Sequence, residues 1–173
     1  MADQSRIDDL RLRVERDPGS IAFAQLAEEY RRAGQLDEAV QTCRAGLAIH
    51  PEYTAARVTL GRALLASGRL DDANAELRLV LAETPDNVAA VRALAETCRG
   101  QGRLQEALTH SRAALKLAPY DAGAERLVND LELAVTDAAQ RVQEASRRRA
   151  AATLASLERW LEAIDAIRAQ RHP

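Results

Sequence analysis

The residues best suited to nucleophilic, acid–base or metal chemistry in this sequence are three histidines and two cysteines. His50, His110 and His172 form no pair at metal-ligand spacing with a third ligand nearby. Cys43 and Cys98 lack the short spacing of zinc and thioredoxin-like motifs, and both fall where helix core residues are expected. The sequence also contains no phosphate-binding loop, nucleophile elbow or dinucleotide fingerprint. These patterns predict a protein that is not an enzyme and that uses no cofactor and no metal.

The composition favours a helical protein. Hydrophobic residues, chiefly alanine and leucine, make up 47% of the 173 residues, and aromatic residues only 3%. Residues with branched β-carbons are too scattered to form alternating strand patterns, so an all-α fold is expected. A net charge of −2 indicates no bulk affinity for nucleic acid or for membrane surfaces.

The location of the protein is predicted from missing signals. The sequence has no apolar run long enough for a membrane span and no signal-peptide pattern, which predicts a cytoplasmic protein with reduced thiols. Lys116 is the only lysine, and all other positive side chains apart from the histidines are arginines. That bias is expected of a GC-rich bacterial genome.

A repeat of 34 residues indicates the elements that would position any functional side chain. Glycine recurs at positions 34, 68 and 102, leucine follows two residues later, and alanine three residues after that leucine. Other columns with the same interval are Leu26, Leu60 and Leu94, then Leu47, Leu81 and Leu115, and finally Pro51, Pro85 and Pro119. Similarity at such a period is typical of stacked helical units.

Each column has a physical role in a pair of antiparallel helices. The glycine follows a helix and can adopt the left-handed conformation that ends it. Acidic residues such as Asp37 and Glu38 suit the first turn of the next helix, because the helix dipole is positive there. Small residues such as Ala39 and Ala73 let two helices approach closely. The proline ends the second helix and forces an extended residue before it.

The repeat resembles the tetratricopeptide repeat, a helix–turn–helix unit of 34 residues. The resemblance covers residues 20–121 as three units, 20–53, 54–87 and 88–121. The first unit fits the large, leucine, small and aromatic positions of the family pattern, whereas the other units depart at the large and aromatic positions. These residues are Phe23, Leu26, Ala27 and Tyr30 in the first unit, and Arg57, Leu64, Val91 and Cys98 in the others. The resemblance implies a right-handed α-solenoid whose first helices line a concave face.

Helical segments flank the repeats on both sides. Residues 1–19 carry Ile7 and Leu10 on one face and are expected to form a half-repeat helix that caps the first unit. Residues 122–150 are expected to form a helix that caps the third unit, and residues 151–173 a separate amphipathic terminal helix. The predicted architecture is a capping helix, three repeats and a long C-terminal helical extension.

A stripe of large apolar residues marks the terminal helix. Its members are Leu154, Leu157, Trp160, Leu161, Ile164 and Ile167. Three roles are open to this helix: it packs on the protein's own surface, it pairs with its copy in a dimer, or it docks on another protein. In the last two roles Trp160 is the expected anchor of the contact.

The resemblance also implies which side chains line the concave face, where proteins of this family usually hold a peptide or a helix. They are Ala24, Glu28, Arg31 and Arg32 in the first unit, Ala55, Val58, Arg62 and Leu65 in the second, and Ala89, Arg92, Glu96 and Arg99 in the third. An apolar middle with Arg62, Arg92 and Arg99 at its rim suits a partner of acidic character. The alternative is that these arginines only solvate their helices.

The predicted function is a non-catalytic adaptor or scaffold that binds a partner protein through the concave groove, the terminal helix, or both. A chaperone role is disfavoured, because the columns that clamp a terminal carboxylate in chaperone-binding members of the family lack their lysines and asparagines. Those columns hold Ala24, Glu28, Thr59, Ala89 and Ala93. The alternative function is a structural scaffold that assembles with its own copies through the terminal helix.

Overall fold

The structure is a computed structural model that describes residues 2–171, with side-chain surroundings for residues 4–167. Met1, His172 and Pro173, which belong to the first and last predicted segments, lie outside the described residues. The described residues form eight α-helices and no strand, which confirms the predicted fold class. The helices are α1 (Ala2–Arg16), α2 (Ala22–Arg32), α3 (Leu36–Ile49), α4 (Thr54–Ala66), α5 (Leu70–Glu83), α6 (Val88–Gly100), α7 (Leu104–Leu117) and α8 (Ala122–Arg171). None of these helices has both the length and the apolar composition needed to cross a membrane.

The first helix of each repeat ends at a glycine. Gly34, Gly68 and Gly102 have φ values of 77°, 77° and 73°, in the left-handed region that glycine adopts at little steric cost. Each glycine N–H donates to the carbonyl three residues earlier, and the following N–H donates to the carbonyl five residues earlier, as from Gln35 to Tyr30 at 2.9 Å. This pair of hydrogen bonds is the Schellman motif, so the predicted role of the glycine column is confirmed.

The second helix of each repeat ends just before a proline. His50, Thr84 and Ala118 close α3, α5 and α7 with φ values of −123°, −131° and −135°. Their N–H groups still donate to the carbonyl four residues earlier, as from His50 to Gly46 at 2.8 Å. The backbone then leaves the helical region because the following proline crowds a helical residue before it.

Helices α1 to α7 pack in sequence order, and α2, α4 and α6 also contact one another in turn. The alanine column lies where helices meet, since Ala39, Ala73 and Ala107 have no exposed surface. Helix α1 adds a smaller apolar cluster, in which Ile7 and Leu10 pack with Leu26 of α2. The first helices of the three repeats therefore share one continuous face.

Helix α8 is a single helix of 50 residues, so the expected boundary between residues 150 and 151 is not a helix end. The segment contains arginine and alanine on both sides of that point, and both residue types favour helix continuation. Among the described residues of α8, the buried side chains are Ala124, Val128 and Leu131. The chain divides into two compact units, Met1–Leu131 and Glu132–Pro173.

Candidate functional site

The face formed by α2, α4 and α6 contains a cavity of about 360 Å³. Side chains from all three helices line it: Arg31, Arg62, Leu65, Ala66, Ala89, Arg92, Ala93 and Glu96. Arginine side chains thus surround a floor of leucine and alanine. Such a surface can hold an apolar segment that also carries hydrogen-bond acceptors or negative charge.

A second cavity, of about 310 Å³, lies between α6, α7 and the first turns of α8. It shares Arg92 and Glu96 with the first cavity, so the two are continuous along α6. Its other lining residues are Ala95, Arg99, Ser111, Ala114, Gly123, Ala124, Arg126, Leu127 and Asp130.

The structure brings together seven of the twelve residues predicted for the concave face. Arg31, Arg62, Leu65, Ala89, Arg92, Glu96 and Arg99 line one or both cavities. The other five, Ala24, Glu28, Arg32, Ala55 and Val58, line neither of them. Val58 is only 7% exposed, so its side chain belongs to the interior and offers little surface to a ligand.

Glu28 organises the arginines at one end of the first cavity. Its carboxylate accepts hydrogen bonds from Nε and Nη2 of Arg31 at 2.9 and 2.8 Å and from Nε of Arg32 at 3.2 Å. Nη1 of Arg62 lies 3.6 Å from the same carboxylate. The hydrogen bond from Arg31 lowers the pKa of Glu28, and the same bond raises the pKa of Arg31. Part of the positive charge at this end is therefore compensated within the protein.

Arg92 stands where the two cavities meet, and Asp121 orients it. Nη1 of Arg92 lies 2.6 Å from Oδ2 of Asp121. The other oxygen of Asp121 accepts from the N–H groups of Gly123 and Ala124 at 2.9 and 3.1 Å, which caps the start of α8. The backbone hydrogen bond from Ala124 is the main reason that the pKa of Asp121 is lowered. Helix capping and the arrangement of the groove are thus linked through one carboxylate.

The predicted stripe of the terminal helix is exposed along α8. Leu154, Leu157, Trp160, Leu161 and Ile167 are all more than half exposed, and Trp160 is 65% exposed. Ile164 is half-buried. A row of large apolar side chains in water is a candidate contact surface for another helix.

The histidines and cysteines have structural surroundings. Nε2 of His50 lies 2.6 Å from the carbonyl oxygen of Gly19, and the His50 ring stacks on Phe23 with 6.2 Å between ring centres. Burial raises the pKa of the Cys43 thiol to about 12 and also raises that of Cys98. Within the described part of the chain, no three His, Cys, Asp or Glu side chains are placed to hold a metal ion.

The reasoning from sequence missed the second cavity, and in particular Ser111. The signal lies in the repeat columns: Ser111 occupies the position that holds Cys43 in the first unit and Leu77 in the second. A polar residue in a column that is otherwise apolar marks a place where the third unit differs from the others.

Comparisons with known proteins agree with this fold. Residues 30–98 match the family model described as tetratricopeptide repeat. No curated protein matches the chain. Among solved structures, MamA from Desulfovibrio magneticus RS-1 is similar with a TM-score of 0.72 and 16% identity, over 84% of this chain and 82% of that one. A thermophilic tetratricopeptide repeat protein of Thermus thermophilus is 27% identical with a TM-score of 0.63, over 73% of this chain and 71% of that one.

A third similar structure contains a ligand. It is the first tetratricopeptide repeat of Spaghetti (RPAP3) bound to the HSP90 peptide SRMEEVD, with a TM-score of 0.66 and 17% identity, over 69% of this chain and 94% of that one. These likenesses establish the repeat fold of the present chain.

Proposed function

Because this chain is a tetratricopeptide repeat protein, we propose that it is a non-catalytic adaptor that holds a segment of a partner protein on the face formed by α2, α4 and α6. The observation that carries the proposal is the cavity of about 360 Å³ on that face, with an apolar floor and arginines from three successive helices. Concave surfaces of this kind, with an apolar floor and a few placed polar groups, are typical binding sites.

The charges of the face support a partner segment with acidic side chains. Arg31, Arg62 and Arg92 line the first cavity, whereas Glu96 is the one acidic side chain among its lining residues. Arginine recognises carboxylates through paired hydrogen bonds, and Glu28 and Asp121 hold these side chains in place before a ligand arrives. The similar structure with the peptide SRMEEVD shows an acidic peptide bound by the same repeat fold in another protein.

The proposal is tested by selecting random displayed peptides on the purified chain and measuring the affinity of the recovered peptides by fluorescence anisotropy. We expect the recovered peptides to be enriched in acidic residues. The double variant Arg62→Gln, Arg92→Gln should bind them about tenfold more weakly or worse, because hydrogen bonds to charged groups are lost. Glutamine is chosen over glutamate because a negative charge at position 62 would lie close to Glu28.

The matched control is Arg44→Gln, which removes an arginine of α3 that lines neither cavity. Its affinity for the peptides should equal that of the unaltered chain. Equal binding by the double variant and this control, or selected peptides without acidic residues, would refute the proposed use of the face.

A second candidate function is self-association through α8, which the exposed row from Leu154 to Ile167 favours. Leu154, Leu157, Leu161 and Ile164 follow the alternating three- and four-residue spacing of coiled coils. In an antiparallel pair, Leu154 lies opposite Leu157 of the partner subunit, and Leu161 opposite its alanine at 150. A parallel pair would instead place Arg147 against its own copy, so the antiparallel arrangement is the one we propose.

Self-association is tested by light scattering of the full chain, combined with the fluorescence of its single tryptophan. We expect a dimer whose Trp160 emission shifts to shorter wavelength as concentration rises, because the ring becomes buried in the contact. Leu157→Glu should give a monomer. Leu133→Glu, at an equally exposed leucine of α8 outside the row, should remain dimeric. A full chain that stays monomeric at high concentration would contradict this candidate function.

A further inference from the structure

Ser111 is a buried polar residue whose hydroxyl has no hydrogen-bond partner in the part of the chain that the structure describes. The residue is 1% exposed, and it lines the second cavity, between α6, α7 and the start of α8. Buried hydroxyl groups in proteins are almost always hydrogen-bonded, because leaving one without a partner is costly. This hydroxyl therefore indicates a group that the cavity is built to receive.

The cavity exists because the third unit has small side chains where the second unit has large ones. Leu77 and Val80 are fully buried in the second unit, and the residues one repeat later are Ser111 and Ala114. Ala95 and Ala124 complete the lining on the side of α6 and α8. The resulting space of about 310 Å³ is far larger than the roughly 10–15 Å³ that one water molecule needs.

The charged groups around the cavity are balanced. Arg92, Arg99 and Arg126 supply three positive charges, and Glu96 and Asp130 supply two negative ones. The third negative charge is that of Asp121, which is paired with Arg92 at 2.6 Å. The cavity therefore provides both hydrogen-bond donors and acceptors without an excess of either sign.

We infer that this second cavity is a pocket for a side chain with a primary amide, that of glutamine or asparagine, in the partner segment. The inference rests on the proposed function, because the pocket continues the face that binds the segment. The amide oxygen accepts a hydrogen bond from the Ser111 hydroxyl, and the amide NH₂ group donates to Glu96 or Asp130.

The small lining selects an amide over the competing side chains. A carboxylate would bring a negative charge next to Ala95, Ala114 and Ala124, where it is poorly solvated and faces the charges of Glu96 and Asp130. An apolar side chain would leave the Ser111 hydroxyl without a partner. An amide satisfies the hydroxyl and carries no charge.

The site can be tested with fragments, without a known partner. The isotopically labelled full chain is titrated with propionamide, which carries the end of a glutamine side chain, and with propionate, which carries that of glutamate. We expect propionamide to shift the backbone amide resonances of Ser111, Ala114 and Ala124, with affinity in the millimolar range. Propionate should leave these three resonances unshifted.

Two variants remove the pocket's distinguishing features. Ser111→Ala deletes the hydroxyl and should weaken propionamide binding about three- to tenfold, which is the range expected for one neutral hydrogen bond. Ser111→Leu introduces the residue found at Leu77, fills the space and should abolish the shifts. Equal propionamide binding by the unaltered chain and Ser111→Ala would overturn the inference, as would shifts with propionate alone or with neither fragment.

The fragment titration and the peptide selection fail separately. If the chain binds acidic peptides through Arg62 and Arg92 but ignores propionamide, the adaptor function stands and the amide pocket is wrong. If propionamide shifts the three resonances but no peptide is recovered, the pocket exists and the proposed use of the neighbouring face is wrong.

Discussion

His110 shows how one residue responds to its place in the repeat. Burial, and next the positive charge of Arg78, lower the pKa of His110 below its ordinary value near 6.5. A histidine whose pKa is lower in the folded chain binds its proton more tightly in the unfolded chain. Its contribution to stability is therefore fully present above the unfolded pKa and is lost as the pH falls through the folded one.

The first prediction is that acidification destabilises the protein through His110. Between neutral pH and about pH 5, the melting temperature of the unaltered chain should fall more than that of His110→Gln, which cannot titrate there. An NMR titration of the His110 ring should give a pKa below that of a histidine in a short peptide. A difference in melting temperature that stays constant over this range would show that protonation of His110 is not linked to unfolding.

Single residues also show what a repeat pattern can and cannot reveal. The arginines of the concave face could be assigned from their columns, because facing positions recur every 34 residues. Their partners could not: Glu28 meets Arg62 across two helices, and Asp121 reaches Arg92 from beyond the third unit's helices. Those contacts depend on helix packing, which no single column records.

Helix ends were the most predictable elements, since glycine and proline act on the backbone locally. The glycine and proline columns mark the termini of α2 to α7. The division of α8 was wrong because the apolar stripe changes near the three arginines at 147–149 while the backbone continues as a helix. A change in which face is apolar does not require a break in the helix.

The second prediction separates two kinds of glycine in the same repeat. Gly68→Ala should cost about 1 kcal/mol in the free energy of unfolding, because alanine is strained at a φ of 77° although nothing lies within 4 Å of the added carbon. Gly61→Ala should cost roughly 1–3 kcal/mol for a different reason, since its Cβ would lie 2.7 Å from Leu77. Urea denaturation measures both.

Shrinking the neighbour provides the control for this pair. In a Leu77→Val background, the added cost of Gly61→Ala should diminish and that of Gly68→Ala should stay the same, because only the former is coupled to the side chain at 77. Equal costs of Gly61→Ala in both backgrounds would mean that the close approach of Gly61 and Leu77 does not limit the packing of α4 on α5.

At the scale of the whole molecule, the sequence predicted a helical repeat array but not the cavity between α6, α7 and α8. That cavity arises because small residues from three helices, each ordinary in its own column, meet at one place. Ala95 and Ala124 fit the small-residue columns of ordinary repeats, and the substitution of serine and alanine for Leu77 and Val80 alone changes the volume. The cytoplasmic location and the bacterial source stay predictions.

The two compact units lead to the last prediction, which concerns where the chain can be shortened. In α8, the buried large side chains are Val128 and Leu131, whereas the row beyond Glu132 is mostly exposed. A chain ending at residue 131 should therefore unfold with nearly the free energy of the full chain, compared at a concentration where both are monomeric. A chain ending at residue 121 should lose roughly 3–6 kcal/mol, since burying one valine or leucine side chain contributes about 1.5–3 kcal/mol.

Far-UV circular dichroism during urea denaturation distinguishes these outcomes. Terminal repeats depend on the element that covers them, because each helix pair buries its apolar side only against a neighbour. If the chain ending at 131 proves as unstable as the one ending at 121, residues beyond Leu131 stabilise the repeats, and the division into two units does not describe their energetics. If both shortened chains match the full chain, Val128 and Leu131 do not act as a cap, and the third unit is stable without one.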